Sequence, residues 1–359
     1  MPTKTPPQKK PKYVEIAARI RRDIKGGVLR PGDRLPSFAE MRAELGIGQG
    51  TLERVHAILE KDELIVREAN RGVFVSEPRP KKRTGVLGIC GTHSLGRNFV
   101  YETQLLEGVQ NVVQEAGMEL QLLSGASAIG WDKVDGVLHY YGSGKLQHLP
   151  PDTPNVSLLN PRAGFHCVLA DDISGALTAT QHLLEQGHRR IALLTTREKN
   201  FHERRLAGYE NALRGAGIAP QAEWVRPIIS FERSSGYIGS GRDTMRDWLQ
   251  SDWHDLGCTA LLAQNDDTAI GVIRACAEAG ISVPEGLSVV GFDGAGIAEW
   301  FLPRLTTMQV PFRKIGARGA RLLLELIRNP LLPVTQIDVP VRLRIGETTA
   351  PCAQDALCR

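Results

Sequence analysis

The chain has 359 residues, 42% hydrophobic and 23% charged, with a formal net charge of +4. That length accommodates two or three domains with a sizeable core, and the composition excludes wholesale disorder. The charge is uneven, with 19 Lys and Arg against 11 Asp and Glu in residues 1–83 and 25 against 29 in the remainder. A basic module on an acidic body fits a nucleic-acid-binding head joined to a different machine; a basic tail on an unrelated enzyme fits the charge equally well.

The segment MPTKTPPQKKPKY is polar and proline-rich, without an apolar signal region, and no run approaches the roughly 18 apolar residues of a membrane span. A cytoplasmic protein with no membrane partner is expected. The six cysteines at 90, 167, 258, 276, 352 and 358 form no C-x-x-C pair. Cys90 and Cys258 lie in or beside apolar runs and read as small hydrophobes; Cys352 and Cys358 can pair, bind metal or stay exposed.

In chain order, residues 1–12 read as a flexible basic arm and 13–75 as a compact unit. Its first helix, YVEIAARIRRDIKGG, sets Val14, Ala17, Ala18, Ile20 and Ile24 on one face and stops at Gly26 and Gly27. After the LRPGDRLPS turn, SFAE at 37–40 is a capping box that starts a second helix ending at Leu45. A third helix runs from near Gly48 to Lys61 and buries Leu52, Val55, Ile58 and Leu59. LIVREANRGVFV at 64–75 makes two short strands about Asn70–Gly72. Three helices and a β-wing form a winged helix-turn-helix, whose second turn helix enters the major groove.

The stretches IAARIRRDIKGGVLRPGDRLPS, LEKDELI and RGVFV resemble the head of the GntR family over about residues 13–75. The resemblance implies that Arg34 and Ser37 touch phosphate, that the third helix lies in the groove, and that the wing at Arg71–Gly72 approaches the minor groove. Family members carry a Ser-Arg pair and a further Arg on the third helix; here Gly48–Gln49 and Glu53 stand there. The segment instead offers Gln49, Thr51, Glu53 and Arg54. Gln49 can bond an adenine edge, Glu53 can accept from a cytosine amino group, and an atypical operator is expected. Glu53 also reads as an exposed helix residue in a surface pair, with affinity resting on phosphate contacts from the Lys and Arg of 4–12, Arg34, Arg42, Arg54 and Arg71.

SEPRPKKRT, residues 76–84, reads as a linker. Beyond it, strands at 86–90, 120–123, 136–139, 156–159, 190–195, 260–263, 288–292 and 337–343 alternate with helices near 99–116, 172–187, 203–216, 267–280 and 312–328. That alternation implies parallel sheets covered by helices on both faces. Residues 346–359 read as a tail.

The blocks VDGVLHY, DDISGALTATQHLLEQGHRRIALLT, RRLAGYENAL, LLAQNDDTAIGVIRACAEAGISVPEGLSVVGFDG and PRLTTMQVPFRKIGARGARLLLELI resemble the LacI/GalR effector domain over about residues 84–345. The implied architecture is a two-lobed, periplasmic-binding-protein-like α/β body with three crossovers and a ligand between the lobes. Arg205, Asn265 and Asp293 would be the ligand triad. The Arg fork holds hydroxyls or a carboxylate, the amide donates and accepts, and the Asp accepts from hydroxyls or ring N–H groups. Asn265 and Asp266 also read as helix caps. Phe231 is expected to stack on the ligand. Asn160 and Phe312 are further candidates, Phe312 reading equally as lobe core. His93, Ser94 and Asn98 fall in a loop unlike the family's. The family's hinge-helix motif is absent.

Catalysis, a cofactor and a metal are not expected: G-x-G-x-x-G, G-K-[ST], H-E-x-x-H and G-x-S-x-G are all missing. His182, His188 and His202 are dispersed and read as surface or helix-end residues. The expected function is a DNA-binding regulator, by family default a repressor, acting as a homodimer on an inverted-repeat site under control of a sugar. A purine-type effector, or control by a protein partner over an unused pocket, stays open.

Overall fold

The computed structural model describes residues 11–69, 71–76, 83–91, 99–123, 131–140, 149–150, 152–196, 199–228 and 236–353. Two compact units emerge, residues 1–83 and 84–359.

The first unit contains α1 (Lys12–Lys25), α2 (Phe38–Leu45), α3 (Gln49–Lys61), β1 (Ile65–Glu68) and β2 (Gly72–Val75). Ala17, Ile20, Leu35, Met41, Leu52, Val55, Leu59, Ile65 and Val75 form its core. Ser37 caps α2 in a reciprocal capping box, its Oγ accepting from the Glu40 amide at 3.3 Å and Glu40 Oε2 accepting from the Ser37 amide at 2.8 Å. Gly46 ends α2 in the left-handed conformation at φ 58°, so the chain turns sharply into α3. The wing is antiparallel, Glu68 facing Gly72 and Ile65 facing Val75. These are the elements of the winged helix-turn-helix.

The second unit begins with β3 (Val86–Cys90), α4 (Phe99–Glu115), β4 (Glu119–Leu122), β5 (Gly136–Tyr140), β6 (Asn155–Leu158) and β7 (His166–Ala170). It continues with α5 (Asp172–Glu185), β8 (Ile191–Thr195), α6 (Lys199–Gly215), β9 (Val225–Pro227), α7 (Gly236–Leu249), α8 (Trp253–Leu256) and β10 (Ala260–Leu262). Then follow α9 (Asp266–Glu278), β11 (Ser288–Asp293), α10 (Ile297–Trp300), β12 (Thr306–Gln309), α11 (Phe312–Arg328), β13 (Gln336–Val339) and β14 (Arg342–Arg344).

Two six-stranded sheets result, in the orders β4-β3-β5-β6-β7-β13 and β9-β8-β10-β11-β12-β14. The first sheet is parallel throughout. The second departs only where β14 runs antiparallel to β12. The chain passes between sheets after β7, after β12 and after β13, which gives the three crossovers expected of a two-lobed periplasmic-binding-protein-like body. All three leave at the carboxyl ends of parallel strands, the edge at which α/β folds gather ligands.

Three sequence expectations are corrected. The single strand over 337–343 is two strands in different sheets, because Pro340 lacks the N–H that would continue the ladder. Unanticipated β7, β9 and β12 and helices α7, α8 and α10 are also present. Glycines at 236, 239 and 241 lower the helix propensity of α7, but packing requires one of them: a Cβ on Gly241 would meet the backbone of Thr268 on α9. Thirdly, His182 and His188 are buried rather than superficial, while His182 does lie in the last turn of α5 as a helix-end residue. The His188 ring bridges Thr259 Oγ1 (2.8 Å), Ser288 Oγ (3.1 Å) and the Ala350 carbonyl (3.1 Å), and His182 Nε2 meets Thr349 Oγ1 at 3.1 Å. Burial lowers the pKa of both rings. Thr348 adds a hydrogen bond to the Val289 carbonyl, so residues 348–350 are fastened to the second lobe. The side chain of His202 lies outside the described residues.

Cys90, Cys167, Cys258 and Cys276 are buried cysteines outside any disulfide, and Cys352 is disulfide-bonded. Among the described residues no helix is long and apolar enough to cross a membrane, and no group of His, Cys, Asp and Glu is placed to hold a metal.

Candidate functional site

On the first unit, burying Leu52, Val55 and Leu59 turns the opposite side of α3 outward. Gly48, Gly50, Thr51, Glu53, Arg54 and Ala57 line a shallow open hollow there. Three of those six residues have no side chain beyond Cβ, which leaves room for a flat object to approach the helix. Gln49 and Glu53 are exposed one turn apart, and Gln49 Nε2 donates to Glu53 Oε1 at 3.0 Å. The surface pair weighed for Glu53 is thus formed, with Gln49 as its partner. The Arg54 guanidinium sits 5.8 Å from the Tyr13 ring centroid.

The structure brings Arg34 to Gly72: their strands bridge at Arg34–Phe74, and a Cβ on Gly72 would lie 2.9 Å from Arg34 Nε. Arg71, 72% exposed, pairs with Glu68 at 2.6 Å and leans over Phe74. Ser37 Oγ accepts from the Glu40 amide within the capping box. Two hydrogen bonds from Ser37 hold the Glu40 carboxyl below its ordinary pKa. Ser37→Ala is expected to cost about 1 kcal/mol of head stability, the usual worth of an N-cap. A urea melt of the full chain checks this, and an unchanged midpoint for the first transition would refute it.

In the second unit, Arg205 lies on α6 and reaches the carboxyl ends of β10 and β11. Its Nε donates to Asp172 Oδ1 at 2.9 Å, its Nη1 to the Gln264 carbonyl, and its Nη2 stands 3.7 Å from Asp293 Oδ1. The guanidinium lies 3.7 Å over the Phe292 ring. Three nitrogens and one face of the guanidinium are thereby fixed, and the fork is rigid before any ligand arrives. Asp293 has φ 110°, a costly backbone for a residue with a Cβ, of the kind found at sites where function dictates geometry. Burial raises its pKa well above the ordinary carboxyl value; Arg205 opposes the rise, and the charges of Asp266, Asp172 and Asp267 add to it.

Asn265 is the N-cap of α9, its Oδ1 accepting from the Thr268 amide at 2.9 Å. The capping reading holds for the oxygen, and the Nδ2 amino group remains to donate. Asp266 is buried and structural: Thr307 Oγ1 and the Ala295 amide (2.6 Å) donate to its two oxygens. Burial, the main cause, pushes its pKa up to about 7.

Sequence reasoning missed Asp172 and Phe292. Asp171 serves as N-cap of α5, accepting from the Ser174 amide at 3.1 Å, and this frees Asp172 for Arg205. Arg204 crosses between lobes, donating to Asp338 Oδ1 on β13 at 2.6 Å while its Nε lies 3.8 Å from Asp172. Of the other candidates, Phe312 is buried with its ring stacked on Tyr101 at 5.1 Å, so packing accounts for it. Asn160 follows β6 and accepts from Ser157 Oγ through its carbonyl at 2.7 Å. Phe231, His93, Ser94 and Asn98 lie outside the described residues.

The family model for bacterial regulatory proteins of the gntR family matches residues 12–75, and that for the periplasmic binding protein-like domain matches residues 180–349. The chain joins a gntR-family head to a periplasmic binding protein-like body. The arabinose metabolism transcriptional repressor of Geobacillus stearothermophilus is 25% identical over 344 residues, 89% of this chain and 92% of the relative. GalR of Escherichia coli, an HTH-type transcriptional regulator, is 31% identical over 211 residues, 57% of this chain and 59% of its own length. A LacI family regulator from Enterococcus faecium, solved with bound ribose, superposes at TM-score 0.61 with 25% identity over 74% of this chain and 99% of that one. A CelR–cellobiose complex shares the fold at TM-score 0.65 and 24% identity, covering 88% of this chain and 100% of that one.

Proposed function

We propose that this gntR-headed chain is a transcriptional repressor whose operator affinity is set by a sugar bound between the lobes of its body. The observation that carries the reading is the Arg205 fork, held rigid by Asp172 and Gln264 and facing Asp293. A hydroxyl placed between Arg205 Nη2 and Asp293 accepts from the first and donates to the second, and Asn265 Nδ2 donates to a neighbouring oxygen. Relatives named for arabinose and ribose metabolism support a sugar over other polar ligands. Phe231 is the proposed stacking partner, with Asn160 at the rim.

The head binds double-stranded DNA, with Arg34, Ser37, Arg54 and Arg71 on phosphates and α3 in the major groove. The chain acts as a homodimer in the cytoplasm, without catalysis, on an inverted repeat. Ligand closes the cleft, moves the lobes within the dimer and alters the spacing of the two heads. This mechanism requires that operator affinity differ with and without saturating ligand.

Thermal melts against pentoses, hexoses, their acids, disaccharides and purines test the reading. A cognate sugar at about 100 times its Kd adds about 2.7 kcal/mol, a rise of roughly 5–10 °C. A shift from purines alone would replace the sugar, and no shift from any compound would remove the ligand-controlled reading.

A further inference from the structure

Four arginines of the first unit are held by carboxylates: Arg19 by Asp23, Arg21 by Asp62, Arg67 by Glu60 and Arg71 by Glu68. Each of those partners fixes a guanidinium and offsets its charge. Arg54 on α3 is held differently. Among the described residues its partner is an aromatic ring, that of Tyr13 on α1, with 5.8 Å from the guanidinium carbon to the ring centroid. The sequence shows why no carboxylate competes. The positions three and four residues away are Gly50, Thr51, Ala57 and Ile58, and the adjacent Glu53 accepts from Gln49 instead. Tyr13 is half-buried on the core of the head, and α1 lies against α3, so the ring is a fixed platform. A ring attracts a cation without neutralising it.

We propose that Tyr13 is a positioning residue for DNA binding, its ring holding the Arg54 guanidinium in place while leaving the full charge for a phosphate. The inference rests on the reading of the head as a DNA-binding module. Gln49, Glu53 and Ala57 follow one another a turn apart along the exposed stripe of α3. Arg54 lies about 100° round the helix from Glu53, on the side towards α1. With the stripe over the base edges of the major groove, that flank faces a phosphate row, where contacts supply affinity and register rather than sequence. An exposed arginine free to rotate loses side-chain entropy on meeting a phosphate; one already laid on a ring has lost part of it beforehand. An arginine held by a carboxylate is also ordered, but it carries that negative charge towards the phosphate. The small side of the hollow, Gly50 and Ala57, leaves the approach to Arg54 open.

Binding of the full chain to a labelled random-sequence duplex of about 30 base pairs, measured between about 50 and 200 mM salt, tests this, because phosphate contacts need no particular operator. Arg54→Gln is expected to flatten the slope of log Kd against log salt by about 0.9, the signature of one phosphate. Tyr13→Leu, which keeps an apolar side chain on the core, is expected to weaken binding about threefold, the worth of an exposed cation–π contact, and Tyr13→Phe to bind as the wild type does. The deciding readout is the double variant: in the Arg54→Gln background, Tyr13→Leu is expected to cost nothing further. An equal loss from Tyr13→Leu in both backgrounds would make the ring merely structural and overturn the inference. So would wild-type affinity in Tyr13→Leu, or a wild-type salt slope in Arg54→Gln. Should Tyr13→Leu lose the head's urea transition, a ring-fluorinated phenylalanine at position 13 takes its place in the same cycle; it keeps the shape and weakens the negative face of the ring, and the same loss is expected. No binding by the wild type at any salt would remove the DNA-binding reading itself, a result distinct from the others.

Discussion

Arg205→Ala is expected to abolish the ligand-induced rise in melting temperature and to lower the unliganded melting temperature by roughly 10 °C. The two effects have one cause. Arg205 stands between Asp293 and Asp172, the latter also 3.8 Å from Arg204, and its side chain is only 14% exposed. Removing one partner of a buried ion pair costs about 3–5 kcal/mol, because the remaining charge is stranded. Protonation of Asp293, whose pKa is already raised by burial, relieves part of that cost and keeps the loss at the lower end. At roughly 2–4 °C per kcal/mol for a body of this size, about 10 °C follows. Arg205→Lys keeps the charge but has a single nitrogen for what three nitrogens now do. It is expected to recover much of the stability and little of the ligand response. That split separates a ligand contact from a structural cation. A folded Arg205→Ala protein with the wild-type ligand shift would remove Arg205, and with it the cleft, from the proposed mechanism.

The head was readable because its signals are local. The S-F-A-E box, Gly46 and the apolar spacing of α3 each act within a few residues, and all three have the anticipated structural roles. The body was readable as alternating strands and helices. Its misses occur where packing overrides propensity, as in glycine-rich α7, or where a strand is short and polar, as in β12, Thr306–Gln309. The cleft was only half legible. Arg205, Asn265 and Asp293 are expected together as a ligand triad from the resemblance, but the residue that orients Arg205 is Asp172, 33 positions away. In sequence, Asp171 and Asp172 are adjacent carboxylates at the expected start of a helix, with nothing local to tell them apart. Only the fold shows that one carboxylate suffices for the cap and that the other turns to the arginine. Asn265 presents the reverse case: the cap reading and the ligand reading both apply, to different atoms of one amide. The coupling of Gln49 to Glu53 was legible as an i,i+4 spacing, but not as a choice of partner.

Asp266→Ala is expected to destabilise the second unit by about 3–5 kcal/mol, with a pH dependence that distinguishes this carboxyl from its neighbours. Both oxygens accept from protein donors, Thr307 Oγ1 and the Ala295 amide, and each donor left buried without a partner costs about 1–3 kcal/mol. The proton adds a second signature. Burial raises the Asp266 pKa from 3.8 to about 7 in the folded chain, with the charge of Asp267 adding to the rise and Thr307, Ala295 and Arg344 opposing it. A raised folded pKa means that the folded state binds the proton more tightly than the unfolded state. The proton-linked stability is therefore complete below about pH 4 and is lost as pH rises through about 7. The gap in melting temperature between wild type and Asp266→Ala should be widest near pH 4 and narrow towards pH 8. Asp293 contributes in the same sense, since the Asp266 charge is one of the causes raising its pKa and disappears in the variant. Buried His182 and His188, with lowered pKa values, titrate in the opposite direction but are common to both proteins, so they cancel in the difference. A gap that is constant from pH 4 to 8 would mean that Asp266 is ionised throughout. The donors from Thr307 and Ala295 would then outweigh the burial that raises its pKa.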